Sequence, residues 1–440
     1  MRPGTLTLAS LFLAATSAAP SLANDVHIVD TTGAGDFPTI QQALNSAVDG
    51  DIILVRPGAY PSFVVDNLDV TIIADGGFVS TGTIRVRNLA ADKVLVIDGL
   101  DALGFPTSSP SSARGAWFIN CSGSIRVQHS SFIGADSISD SAENGWDGAY
   151  VEGCQDVSFT DCIMVGGVDS GVYGDNTAPN SIGGGQGLSS SGSHISMFVS
   201  EARAGDGHPA TIWDGGVGGH GALLEASSTL TAHSCTFEGG KGGGTTFSFG
   251  WGADGGNGVW SREGSHADLL GCTLIAGQGG GTSGCFCGPG EAGYPTLGNT
   301  TLHPGDSKDL CFIPRVGALR EGASAVLTIN SYAGSRASMI YSLGADRREL
   351  SMPDRLLLLA SPFVRLMPAP APRPIPLSLP SRNFLGVFSS SGSLSVTFQA
   401  GDLPVGVEGE RVLAQPFHVP TSGDWNLGAP IVLVILDSAI

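Results

Sequence analysis

Between residues 115 and 275 the chain repeats one pattern of positions: apolar, any, apolar, any, any, small, any, apolar. It runs through Ile125, Val127, Ser130 and Phe132, then Val157, Phe159, Cys162 and Met164, then Ile195, Met197, Ser200 and Ala202. Two more copies follow at Leu230, Ala232, Cys235, Phe237 and at Ala267, Leu269, Cys272, Leu274. Fainter echoes start at Val70 and Val94. Numbering the five anchors 125, 157, 195, 230 and 267 gives intervals of 32, 38, 35 and 37 residues. Alternation at period two predicts strands with one buried face. A fixed repeat of several short strands predicts stacked coils. Each copy also has an upstream strand opening on glycine: Gly115-Ala116-Trp117-Phe118, Gly148-Ala149-Tyr150-Val151, Gly187-Leu188, Gly221-Ala222-Leu223-Leu224 and Gly258-Val259-Trp260.

Ahead of the repeats, Ile40, Ala43, Leu44 and Ala47 follow helical spacing, with Pro38 suited to a first turn. A turn, a buried strand and a second turn come next, from Asp49 to Tyr60. This stretch, DFPTIQQALNSAVDGDIILVRPGAY, resembles the entry to pectin-esterase-like and pectate-lyase-like β-helix proteins. The resemblance implies a helix that caps the open end of a solenoid, whose first coil otherwise exposes core and strand edges. Four strands per repeat are missing, which argues against propeller blades. The expected fold is all-β: a right-handed parallel β-helix over 24–314 with an N-terminal capping helix. A small β-sandwich-like C-terminal domain over 321–440 follows, with a Pro-rich segment at 362–380. Three roles are open for that domain: export, surface retention, or stabilising the last coil.

A bare coil takes roughly 20 to 25 residues, by analogy with other strand solenoids. The surplus falls at one phase of every repeat and is rich in glycine: 183–187, 215–221, 239–258 and 277–290. These inserts are expected to emerge on one side as loops.

Residues 1–23 read as a signal peptide: Arg2, an apolar run from Leu6 to Ala19, and a small-x-small site at Ser21-Leu22-Ala23. No later apolar run approaches the roughly 20 residues a membrane-spanning helix needs. A secreted or surface location and a monomer are expected. A net charge of −19 argues against nucleic acid or anionic lipid as partner. Ten of the 18 arginines lie after residue 314, so the middle of the chain is strongly acidic. An acidic polysaccharide then needs a bridging cation or a very local basic pocket.

The recurring Trp146-Asp147-Gly148 and Trp213-Asp214-Gly215, with the looser Trp251 and Asp254, suggest a sugar platform of ring faces and carboxylates. The alternative is that each Trp plugs its own loop. Asp169 and Asp175 offer oxygen ligands for Ca²⁺, or are simply solvated acids. Catalytic candidates are Asp156 and His194, which share an outward phase on consecutive coils, and His220 between two glycines. The Gly219-His220-Gly221 element is similar to one in polygalacturonases, whose other elements are missing here. Cys162, Cys235 and Cys272 fall at the inward small position and read as a buried ladder of free thiols; Cys285, Cys287 and Cys311 are the disulfide candidates. Three functions stay open. A non-catalytic extracellular protein that binds a polysaccharide or surface glycan comes first. A polysaccharide lyase or glycoside hydrolase comes second, and a structural spacer or adhesin with protein partners third.

Overall fold

In the computed structural model the described residues are 25–105, 113–137, 144–169, 183–210, 214–246, 250–283, 288–303, 317–330, 336–342, 377–378, 384–387, 389–403, 406–419, 426–429 and 431–440. The candidates Trp213, Asp175, Cys285, Cys287 and Cys311, and the leader 1–23, lie outside them.

The described residues between 26 and 303 form a parallel β-helix. Its wall is three parallel sheets: a ten-stranded sheet A from Val26–Val29 to Thr300–His303, and eight-stranded sheets B and C. Each coil visits A, B and C in turn. The five anchors pair in one register, Ile125 with Val157, Ile195, Leu230 and Ala267, and all are buried. Phe132, Met164, Ala202, Phe237 and Leu274 stack the same way on sheet B. The bend from A to B places a left-handed residue in coil after coil, at His129, Asp161, Val199, Ser234 and Gly271. Cys162 and Cys235 are buried free thiols inside the core, and Cys272 at the same phase is half-buried and free. Burial pushes the Cys162 thiol up to about 12.

The expected helix is α1, Ile40–Ser46, started by Thr39, whose hydroxyl accepts from the Gln42 amide. Ile40, Ala43 and Leu44 bury into the first coils. A strand, Val26–Val29, precedes it and opens sheet A.

The C-terminal residues form a small β-domain of two sheets, of six and three strands. Its strand Ile431–Leu436 is buried along its whole length. Val434 and Leu436 pack on the outer side of sheet A against Val26, Ile52, Leu54 and Ile73. Gln128 donates to the Val432 carbonyl at 2.8 Å and accepts from its amide at 2.9 Å. Arg411 pairs with Asp69 at 2.8 Å, and Arg320 with Asp75 at 3.1 Å. Among the described residues, the domain packs on the first coils of the solenoid.

The glycine-rich inserts are not irregular loops. Among the described residues, one extended run of each leaves sheet B and a second enters sheet C. The outgoing runs stack into one layer and the returning runs into another. Hydrogen bonds recur every third residue, the repeat of a polyproline II helix. At the first position of each triplet the amide donates to the next coil in its own layer, as Gly218 to Asp254 and Gly242 to Gln278. At the second position it donates across the layers. One such chain zigzags from Gly293 through Gly277, Gly256, Gly240, Gly219, Gly205, Gly185, Gly167, Trp146 and Ala135 to Ala113. A methyl on Gly218 would stand under 3.0 Å from the Gly240 oxygen, and one on Gly219 under 3.0 Å from the Gly185 oxygen. Both positions exclude a side chain, which explains runs such as Gly215-Gly216-Val217-Gly218-Gly219-His220.

Candidate functional site

The third position of each triplet faces outward and carries the side chains. In the returning layer its innermost row is Asp147, Gln186, His220, Asn257 and Tyr294, one residue before Gly148, Gly187, Gly221, Gly258 and Pro295, which enter sheet C. These side chains form a relay. Asp147 accepts from the Gln186 amide, Gln186 from the His220 amide, His220 Nδ1 from the Asn257 amide, and Asn257 from the Tyr294 amide. Asp214 likewise accepts from the Trp251 amide and Asp254 from the Glu291 amide. The backbone donors that the lattice leaves over are thus satisfied by side chains one coil back. Asp147, Asp214 and Asp254, expected as sugar ligands, each accept a backbone amide of the next coil.

This layer runs without a break into the outer face of sheet C. There one row, in register, reads Val64, Arg85, Trp117, Tyr150, Ser189, Leu223, Trp260 and Leu297. Two aromatic clusters stand on it. In the first, the Arg85 and Arg114 guanidiniums lie 4.6 and 5.0 Å from the Trp117 ring centroid. Arg114 is also 3.9 Å from the Tyr150 centroid and 5.9 Å from that of Trp146. Trp117 and Tyr150 meet edge to face at 6.1 Å. Arg114 donates to Asp147 at 3.1 Å. Burial nevertheless holds the Asp147 carboxyl above its ordinary value, outweighing Arg114 and the Gln186 amide. Three donors here are shielded from solvent without an acceptor: Arg85 Nε, Trp117 Nε1 and Trp146 Nε1.

The second cluster is Trp260, His220, Arg262 and Glu225. His220 meets Trp260 edge to face at 4.8 Å, Arg262 lies 4.8 Å from the same ring, and Arg262 pairs with Glu225. Burial, and then Arg262, lower the His220 imidazole to about 4, so Nδ1 stays an acceptor at neutral pH. Trp117 and Trp260 are four strands apart on one row, about 19 Å at the usual strand spacing. Between the clusters the face carries Ser189 and Leu223.

Of the other expected residues, Asp156 and His194 stand side by side on neighbouring strands of sheet A, one position before the paired Val157 and Ile195, and the rest lie apart. Trp251 projects from the outer part of the returning layer and is 57 % exposed. Trp146 is half-buried beside Arg114. Asp156 lies on sheet A, is 1 % exposed, pairs with Arg126 at 2.6 Å and accepts from Ser124 at 2.6 Å. His194 Nδ1 lies 2.6 Å from the Thr229 hydroxyl. Asp169 is buried between the layers and accepts from Ser137 at 3.2 Å. Among the described residues no three metal-ligating side chains gather. The sequence reading missed Arg85, Arg114, Trp117, Tyr150, Trp260 and Arg262. Aligning the Gly-led strands on one another would have found the three aromatics, since each is the first outward residue of its strand.

No family model matches the chain, and comparison with curated proteins and with solved structures finds no match.

Proposed function

We propose that this is an extracellular or surface β-helix that binds a glycan without turning it over, along the face formed by sheet C and the returning glycine layer. The observation that carries this reading is the single in-register row holding Trp117, Tyr150 and Trp260, flanked by Arg85, Arg114 and Arg262. Ring faces and edges beside a few polar groups are what a sugar chain meets in most sites. A row about 19 Å long fits an elongated polymer lying along the coil axis rather than a small molecule. The leader-like pattern of residues 1–23 supports a location outside the cytoplasm.

The glycine lattice supports a second reading, a rigid spacer that presents its third-position side chains to a protein partner. Retention of the intact protein on a panel of immobilised polysaccharides separates the two. The glycan reading expects retention that Trp117→Ala weakens by about 1 kcal/mol or more per lost ring contact, at an unchanged melting temperature. Absence of retention on every polysaccharide sinks it and leaves the spacer.

A further inference from the structure

Four arginines stand on or beside the outer face of sheet C, and three have carboxylate partners: Arg87 with Asp66, Arg114 with Asp147, Arg262 with Glu225. Arg85 has no ion-pair partner among the described residues, and its Nε has no acceptor. It is held 4.6 Å from the Trp117 ring centroid, so its planar edge is already oriented. In a chain of net charge −19, a cation held on an aromatic ring, with Asp66 acting on it only from beyond ion-pair distance, is a local exception. The two other orphaned groups nearby, Trp117 Nε1 and Trp146 Nε1, are donors as well. All three lack an acceptor, and none can accept. Asp147, the carboxylate beside this corner, already accepts from Arg114 and the Gln186 amide, so an incoming group meets donors in excess. A carboxylate or sulfate oxygen only accepts, and guanidinium binds it in two parallel hydrogen bonds.

We infer that the corner made by Arg85, Trp117, Arg114 and Trp146 is an anion subsite, filled by a carboxylate or sulfate ester carried on the bound glycan. The inference rests on the glycan reading above and narrows it to acidic polymers. At Trp260 the arginine is paired with Glu225, whereas at Trp117 Arg85 stands beside the Arg114–Asp147 pair as a further cation, so the Trp260 cluster is left for uncharged rings. The anion meets arginine directly, so no bridging Ca²⁺ is involved.

The test uses the full chain and matched probes: uronate-containing oligosaccharides with their carboxyl-reduced counterparts, and sulfated ones with their desulfated counterparts. Calorimetric titrations run with and without chelator. The expected result is binding of at least one acidic member, tenfold or more weaker for its neutral counterpart, unaffected by chelator and reduced by added salt. Arg85→Gln is expected to lose tenfold or more of the acidic-glycan affinity, and Arg85→Lys to keep part of it. Equal affinity for the acidic and neutral members of each pair overturns the anion subsite and leaves the glycan reading intact. Loss of binding with chelator also overturns it, in favour of a bridging cation. If no member of any pair binds, the glycan reading itself fails. The wild-type pairs decide the matter even if Arg85→Gln does not fold.

Discussion

The wall of the solenoid and the glycine slab beside it are built by opposite means. In the wall, side chains alternate in and out, and stability comes from apolar burial: Phe159 is fully buried against Phe118 and Phe132 at 5.8 and 6.2 Å. In the slab the repeat is three, most residues at two positions of three are glycines with no room for a side chain, and backbone bonds join the layers. The core demands an apolar residue at each inward position but not one size, as Phe159, Met197, Ala232 and Leu269 on one register show. The slab tolerates anything at its third position and nothing larger than glycine at most of the others. A surface of that kind can vary its ligand-facing side chains without disturbing its frame.

The largest effect should come from the wall. Phe159→Ala leaves a cavity beneath two stacked aromatics and is expected to cost about 3–5 kcal/mol in denaturant unfolding. A loss under about 1 kcal/mol would mean that burial does not hold the wall. Next is protonation at the seam of wall and slab. In the unfolded chain the His220 imidazole takes a proton near 6.5, and in the fold only near 4. Between those values only the unfolded chain gains the proton, so stability is fully present above 6.5 and falls as the pH drops toward 4. The loss is at most about 3 kcal/mol. Unfolding free energies measured from pH 7 to 4 should show it, and His220→Gln should remove that component. A wild-type curve flat across the window would contradict the relay through Nδ1.

The slab itself separates its positions more finely. Gly218→Ala drives a methyl toward the Gly240 carbonyl and is expected to cost about 1–3 kcal/mol. Lys241→Ala, at an exposed third position, should stay within about 0.5 kcal/mol. Similar costs for the two substitutions would dissolve the distinction between triplet positions.

This contrast also marks what the sequence made legible. The five anchors were found because one side of sheet A there is apolar and the other polar. Further upstream the alternation vanishes. In Ile52–Val55, Ile53 and Val55 face the solenoid core while Ile52 and Leu54 face the C-terminal domain, so all four are apolar. For the same reason the echo read at Val94 is off by one. Leu95 is the true partner of Ile125, and the outward Val96 is covered by Val432. The place of the C-terminal domain could not be read, because no local pattern names a distant docking partner. In the sequence the slab shows as glycine, the residue of turns and loops, and its order lies in a period of three rather than in alternation. The runs at 215–220 and 239–244 carry that period openly. The aromatic row was missed for a different reason: Trp146, Trp213 and Trp251 drew attention by their shared Asp-Gly context, which serves the lattice.

Hydrogen exchange of the intact protein bears most directly on the claim that the inserts are a built lattice. Amides at Gly219, Gly240, Gly243 and Gly256 donate across the layers to Gly205, Gly219, Gly216 and Gly240. They are expected to exchange slowly, within about tenfold of amides in the sheet A strands Asp156–Thr160 and Thr229–His233. Exchange of these glycine amides at the rate of an open loop, while sheet A stays protected, would contradict the account.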